Sequence, residues 1–174
     1  VFLTLGARRR GPEGTPVGSL KRVSISNIVA WNVDSKTGAI ITGIPGHNIE
    51  DISLHDINIY YKGGGTKEQA AREVPGLEKE YPEPGRYGVL PSYGFFIRNV
   101  DGIQLQNINL HLLSDDQRPA IFLDNVKNAA FRFVNAPRQN GIPNINIRNA
   151  ENVNIFQSFD IKDSALKNPV NIRL

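Results

Sequence analysis

The sequence predicts an all-β fold in which short strands stack as the successive coils of a solenoid. Three passages repeat one pattern and begin at Phe95, Ile121 and Ile145, so the repeat is 26 and then 24 residues long. A regular period of this length is typical of solenoid proteins. Apolar and polar residues alternate within each passage, which places the first and third residues of each first strand on one buried face. These residues are Phe95, Ile97, Ile121, Leu123, Ile145 and Ile147.

Equivalent polar residues in the three passages predict how the coils pack. One Asn follows each first strand at a corner, where it can bind turn backbone groups and adopt left-handed dihedral angles. These residues are Asn99, Asn125 and Asn149. The outward residues before the corner are Arg98, Asp124 and Arg148. Their charges would alternate at a strand spacing of roughly 4.8 Å, which favours this register.

The same frame extends on both sides of the three clear repeats. Val1–Gly6 is predicted to be a strand, and Leu20–Ile28 the second half of a coil. A strand at Gly38–Gly43 is followed by a corner and strand at Gly46–Ile57. First strands at Val1, Ala39, Phe95, Ile121 and Ile145 give about five coils. The pattern weakens after Gln157, where we expect a partial last coil.

One domain is predicted over residues 1–174, with an inserted loop at residues 62–92. The insertion opens with three glycines, contains a helix-prone stretch at Lys67–Glu73 and carries four prolines. Long excursions from a rigid scaffold often serve function or an interface, and a plain surface flap is the alternative.

Composition limits the classes of partner. The net charge of +3 is spread along the chain without a block of like charges, so we expect no nucleic-acid partner, whereas a weakly basic surface suits an acidic polymer. The absence of cysteine excludes disulfides, and no apolar run has the length of a membrane span.

Both ends lie in strand-like patterns without a capping helix. We therefore expect the C-terminal part of a longer chain, with self-association through an exposed solenoid edge.

Candidate site residues are few. Arg8, Arg9 and Arg10 lie in a Gly/Pro-rich loop and are candidate substrate-binding residues, because a guanidinium group matches a carboxylate; a solvated surface is the alternative. Asp115 and Asp116 look like a catalytic pair, but their Ser-Asp-Asp-Gln-Arg-Pro context favours a role in shaping a turn. The three histidines, His47, His55 and His111, have no metal-ligand spacing, so no metal and no cofactor are predicted.

Four segments carry a family resemblance: VFLTLG (Val1–Gly6), GTPVGSLKRVSISNI (Gly14–Ile28), IPGHNIEDI (Ile44–Ile52) and LPSYGFFIRNV (Leu90–Val100). In this order they resemble the C-terminal half of glycoside hydrolase family 28, the polygalacturonases and their bacterial relatives. The resemblance implies a right-handed parallel β-helix. For a complete member, it implies inverting hydrolysis of pectic, plant-type acidic polysaccharide in a secreted or periplasmic setting.

The catalytic motifs of that family are absent from this chain. They are Asn-x-Asp, Gly-x-Asp-Asp, Gly-His-Gly and Arg-x-Lys, and all lie upstream of the matched segments, so no catalytic residue can be carried over. Gly46-His47-Asn48 is similar to the third motif but falls on the Asn corner. We therefore expect a glycoside hydrolase as the parent and no activity in this stretch alone.

Three other functions remain open. A non-catalytic polysaccharide-binding solenoid would use exposed arginines and aromatic side chains, with Arg98, Arg148, Trp31, Tyr60 and Tyr61 as candidates in addition to the arginine loop. An assembly role would dock the insertion onto another subunit. A lyase on the same architecture would need an acidic cluster for Ca²⁺, and the sequence contains none.

Overall fold

Nine β-strands and two short helical segments make up the structure, a computed structural model that describes residues 1–174. The strands are β1 (Phe2–Thr4), β2 (Lys21–Val33), β3 (Ala39–Thr42), β4 (Ile49–Tyr61), β5 (Phe95–Leu112), β6 (Ile121–Asn135), β7 (Ile145–Phe156), β8 (Ser164–Leu166) and β9 (Val170–Arg173). A helix, α1 (Lys67–Ala70), and a 3₁₀ turn at Pro84–Tyr87 lie in the segment between β4 and β5. Neither helical segment has the length and apolar character of a membrane span.

The strands form a mostly parallel sheet. Its early strands pair in two separate series, or rows, and the long strands from β5 onward take part in both. In one row β1 pairs with β3, and β3 with the first part of β5. In the other, β2 pairs with β4, and β4 with the second part of β5. β5, β6 and β7 are long enough to contribute to both rows. The fold is therefore all-β, as predicted.

The predicted strand register is confirmed. Phe95 pairs with Ile121, and Ile121 pairs with Ile145. Each predicted inward residue of the three first strands is at most 1% exposed. These residues belong to one core cluster of 29 buried side chains, in which each strand contributes alternate residues. Period-two alternation of apolar side chains thus produces the core.

Left-handed residues mark the corners where the strands change direction. Asn99 and Asn125 have φ values of 52° and 55°, and the Nδ2 atom of Asn125 donates to Oδ1 of Asn99 at 2.7 Å. Asn149 does not follow the prediction, because a register irregularity after Leu123 places it opposite Asp124. The corner ladder therefore has two members in these three strands rather than three.

Two more groups of left-handed residues lie at equivalent positions further along the long strands. One includes Asp51, Asn128 and Asn152, and the other includes Asn27, Asp56 and Asn107; all six have positive φ. Side chains link successive strands there: Asn152 donates to Asn128 at 3.1 Å, and Asn107 donates to Asp56 at 2.6 Å. Asn and Asp tolerate the left-handed region better than other side chains, which explains their recurrence.

The predicted alternation of charge is half correct. Arg148 pairs with Asp124 at 3.3 Å. The guanidinium of Arg98 does not pair with Asp124; it donates to the carbonyl oxygens of Val74 and Pro75 in the insertion, at 2.9 and 3.0 Å. Arg98 therefore holds the insertion against the sheet.

The insertion packs onto the outer face of the first strands. Alternation turns Phe96 and Phe122 away from the main core, and they form a second apolar cluster with Ile40 and with Tyr87 and Leu90 of the insertion. The ring centroids of Phe96 and Phe122 are 5.8 Å apart. The insertion therefore covers a face of the sheet that would otherwise expose aromatic side chains.

A buried ion pair joins the two ends of the insertion. Arg118 and Asp116 have side chains 1% and 0% exposed, and their closest charged atoms are 2.6 Å apart. Asp116 accepts a hydrogen bond from the backbone of Gly65 at 3.0 Å, and Arg118 donates to the carbonyl of Leu90 at 3.2 Å. The ion pair of Asp116 and Arg118 thus binds both the start and the end of the insertion.

The two edges of the sheet differ. At the C-terminal side, β8 and β9 run antiparallel to β7 and cover it. The prediction of a partial last coil there is wrong, because β8 and β9 run antiparallel to β7 and do not continue the parallel stack; left-handed residues at Gln157, Phe159 and Asp160 lie in the turn before β8. At the other side, β1 pairs only with β3 and β2 only with β4, so one edge of each is free.

Candidate functional site

The predicted arginines lie in the loop that follows β1. Residues Gly6–Gly18 and His47 line a cleft of about 700 Å³. The backbone nitrogen of Ala7 donates to the carbonyl of Glu78 at 2.6 Å, which ties the loop to the insertion. The guanidinium of Arg8 lies 4.9 Å from the centroid of the Tyr81 ring. The insertion therefore helps to position this loop.

The three arginines are not equivalent. Arg9 and Arg10 are exposed and Arg8 is half-buried against Tyr81. None of the three forms an ion pair. A guanidinium without a carboxylate partner can bind a carboxylate or phosphate group through paired N–H donors. The cleft has the chemistry of an anion-binding surface, with Glu13 as its acidic member.

The adjacent carboxylates do not form a catalytic pair. Asp115 is exposed, whereas Asp116 is buried against Arg118. Oδ1 of Asp116 also accepts a hydrogen bond from the backbone nitrogen of Arg118 at 3.0 Å, two residues further on. This geometry fits the predicted role in shaping a turn. A carboxylate that is fully bonded and excluded from solvent cannot activate a water molecule for a substrate.

The histidines lie in three separate settings. His47 is exposed and lines the arginine cleft. Nδ1 of His55 lies 2.7 Å from Oδ2 of Asp56, and the hydrogen bonds from His55 and Asn107 lower the pKa of Asp56. The His111 ring stacks on Tyr60 with a centroid distance of 4.1 Å. No cluster of three His, Cys, Asp or Glu side chains could hold a metal ion.

An aromatic stack on the outer surface brings two of the predicted saccharide-contact candidates, Trp31 and Tyr60, together with His111, which was not predicted to take part. The Tyr60 ring lies between His111 and Trp31, and its centroid is 4.3 Å from that of Trp31. Trp31 is 66% exposed, so one side of the stack is open. Tyr61 was a candidate for saccharide contact, and this prediction is wrong because Tyr61 is 1% exposed in the core. The pairing of Tyr60 with His111 in the strand register is the signal that identifies the stack.

Searches against protein-family models, curated proteins and solved structures returned no match to this chain. The basis for a functional assignment is therefore the strand register, the free edge, the exposed side chains and the resemblance of four sequence segments to one family.

Proposed function

We propose that this chain is the C-terminal part of a secreted or periplasmic glycoside hydrolase of the polygalacturonase type, acting on pectic polysaccharide by inverting hydrolysis. In this proposal the sheet rows are the faces of a right-handed parallel β-helix, and the residues with positive φ are its corners. The in-register pairing of Phe95, Ile121 and Ile145 supports the stacking of successive coils. The four family 28-like segments support the substrate class.

The free edge of β2 is the observation that carries the proposal. This strand has a partner on one side only, yet Arg22, Asn27 and Asn32 keep left-handed φ values of 58°, 59° and 58°. The edge strand thus has the same corner type as the strands within the sheet. Its inward residues Val23 and Ile25 are only half-buried. A further parallel coil stacked on this edge would complete their burial, and that coil is where upstream catalytic motifs would continue.

In this proposal the two catalytic carboxylates, the acid and the base of the inverting reaction, lie in that upstream part. An inverting glycosidase needs an acid and a base roughly 6.5–9.5 Å apart, with room for a water molecule between them. In this chain Asp116 is held by Arg118, and the other acidic residues are either exposed or half-buried at the surface or paired with cations. Arg8, Arg9 and Arg10 are assigned to binding substrate carboxylates, and this stretch alone is assigned no hydrolytic step.

The test compares the 174-residue chain with the longer product of its own gene on polygalacturonate. We expect no reducing ends from the chain alone, and hydrolysis by the longer product with the inverted anomer appearing first in an NMR time course. Hydrolysis by the chain alone would contradict the assignment of the carboxylates. A gene product without upstream carboxylates, or one inactive on all pectic substrates, would contradict the proposed function.

The exposed aromatic stack favours a second candidate, a non-catalytic saccharide-binding β-solenoid. Exposed aromatic rings suit the apolar faces of sugars, and Trp31 presents such a surface. Replacing Trp31 with Ala tests this candidate. If the variant loses saccharide binding, and if no longer form of the protein yields a hydrolysis product, the results support the binding module over the hydrolase. An assembly role is less favoured, because the apolar side chains Tyr87 and Leu90 of the insertion are buried on its own sheet.

A further inference from the structure

A second basic cleft lies at the other end of the sheet. It has a volume of about 490 Å³ and lies between the insertion, the outer face of β6 and β7, and the last strand, β9. Its polar, charged and aromatic lining residues are Arg72, Phe122, Asn146, Arg148, Asn171 and Arg173. The lining contains three cations and no acidic side chain, so the cleft suits an anionic ligand.

The three cations differ in their availability. Arg72 donates to the carbonyl oxygens of Tyr87 and Val89 at 2.8 and 2.7 Å, which commits it to the insertion. Arg148 forms ion pairs with Asp124 at 3.3 Å and Glu73 at 2.7 Å. Arg173 is exposed and forms neither an ion pair nor a side-chain hydrogen bond. Arg173 is therefore the cation of this cleft that is free to bind a ligand.

Asn146 lies directly opposite Arg173. The two residues are register partners in the antiparallel pairing of β7 with β9. Directly opposite side chains in such a pair point to the same face, with Cβ atoms roughly 4.5–5.5 Å apart. The Oδ1 atom of Asn146 is buried and has no hydrogen-bond partner. An acceptor of this kind is rare in a folded protein, and a half-turn of the Asn146 amide about its last side-chain bond would exchange its oxygen and nitrogen and bring the oxygen to the cleft, where a ligand hydroxyl group can donate to it.

We propose that Arg173 and Asn146 bind one uronate residue of an acidic saccharide. The guanidinium of Arg173 contacts the sugar carboxylate, and the amide of Asn146 accepts a hydrogen bond from an adjacent hydroxyl group. The inference rests on the proposed function for its ligand class, a galacturonide. It adds a binding site separate from the arginine loop after β1, at the opposite end of the sheet, and gives the insertion a role as one wall of that site.

Titration of the 174-residue chain with trigalacturonate at low ionic strength tests the site. We expect Arg173→Gln to weaken binding about tenfold, the usual effect of losing one charge-assisted hydrogen bond. Arg138→Gln is the matched control, because Arg138 is also exposed but lies outside the cleft. We expect Asn146→Ala to weaken binding without lowering stability, because its buried oxygen has no partner to lose in the free protein.

The outcomes separate this site from the proposed function. Equal affinity of wild type and Arg173→Gln overturns the site and leaves the proposed function standing. An equal loss in Arg138→Gln also overturns it, because the effect would then be one of net charge. If the wild-type chain does not bind trigalacturonate while the longer gene product hydrolyses polygalacturonate, the site fails alone. If binding and hydrolysis are both absent, both proposals fail.

Discussion

Two buried tyrosines give the core an unusual polar content. The rings of Tyr61 and Tyr93 pack edge to face with centroids 5.8 Å apart. The Tyr61 hydroxyl donates to the carbonyl of Gly94 at 3.4 Å, whereas the buried Tyr93 hydroxyl has no partner. Burial raises the pKa of both tyrosines, and the nearby charge of Asp116 raises that of Tyr93 further. An unsatisfied buried hydroxyl costs free energy, so Tyr93 is a site where the sequence is not optimal for stability.

Tyr93→Phe is expected to increase the free energy of unfolding by about 1 kcal/mol, because it removes the unsatisfied hydroxyl and keeps the ring. A tyrosine in the unfolded chain ionises at about pH 10, whereas burial keeps the same tyrosine neutral in the folded protein to higher pH. The resulting contribution to the free energy of unfolding of the wild type is therefore complete below pH about 10 and is lost as the pH rises above that value. The variant should therefore lose less stability than wild type between pH 8 and pH 11.

Urea denaturation at several pH values measures both effects. Tyr81→Phe serves as the control, because Tyr81 is 59% exposed and its hydroxyl is hydrated in both states. A Tyr93→Phe variant that is less stable than wild type at pH 8 would mean that the hydroxyl has a stabilising contact, and the prediction would be wrong.

At the scale of elements, the insertion depends on one buried ion pair. Asp116 and Arg118 bind Gly65 at its start and Leu90 at its end. The breaking of a buried pair leaves an uncompensated charge, which costs about 3–5 kcal/mol. Asp116→Asn should therefore destabilise the protein by that amount and increase proteolysis between Lys62 and Ser92, as measured by urea denaturation and limited trypsin digestion.

The exposed pair formed by Arg86 and Glu80 provides the comparison. It joins two positions within the insertion at 2.8 Å, with both side chains nearly half exposed. Surface pairs contribute about 0–1 kcal/mol, so Arg86→Gln should have little effect. If Asp116→Asn were as mild as Arg86→Gln, the buried pair would not be the anchor of the insertion.

The elements that the sequence predicted are those that depend on local pattern. Alternation within each strand fixes which side chains enter the core, so the equivalence of Phe95, Ile121 and Ile145 could be read directly. The Asn corners at Asn99 and Asn125 could also be predicted, since Asn adopts left-handed dihedral angles at low cost. Asn149 could not, because an irregularity in the pairing partner shifted its position.

Contacts between segments that are distant in the chain could not be predicted from the sequence. Burial of Phe96 and Phe122 depends on Tyr87 and Leu90, which alternation within a strand does not reveal. Arg173 meets Asn146 only because the last strand runs antiparallel, and the weak pattern after Gln157 did not indicate that direction. The arginine loop after β1 was identified, but the second basic cleft required the fold. A candidate site formed by one segment could be predicted from the sequence, whereas a site formed by three segments could not.

The whole molecule has one covered edge and one free edge. The C-terminal side is covered by β8 and β9, whereas β2 leaves a 13-residue strand without a neighbour on one side. Val29 and Trp31 on this strand are 79% and 66% exposed. A long free strand with exposed apolar side chains readily pairs with another chain. We therefore expect the 174-residue chain to self-associate through β2, unless a preceding coil of the same protein covers that edge.

Val29→Lys tests this expectation in sedimentation velocity experiments over a range of concentrations. A lysine on the edge strand would be desolvated in the associated form, so association should weaken about tenfold or more. Val170→Lys is the matched control, because Val170 is 58% exposed on β9 at the opposite edge. Association that is lost in Val29→Lys and kept in Val170→Lys would locate the interface at the free edge. A wild-type chain that is monomeric at every concentration would mean that the half-buried residues of β2 tolerate solvent, and the need for a further coil on this edge would lose its physical basis.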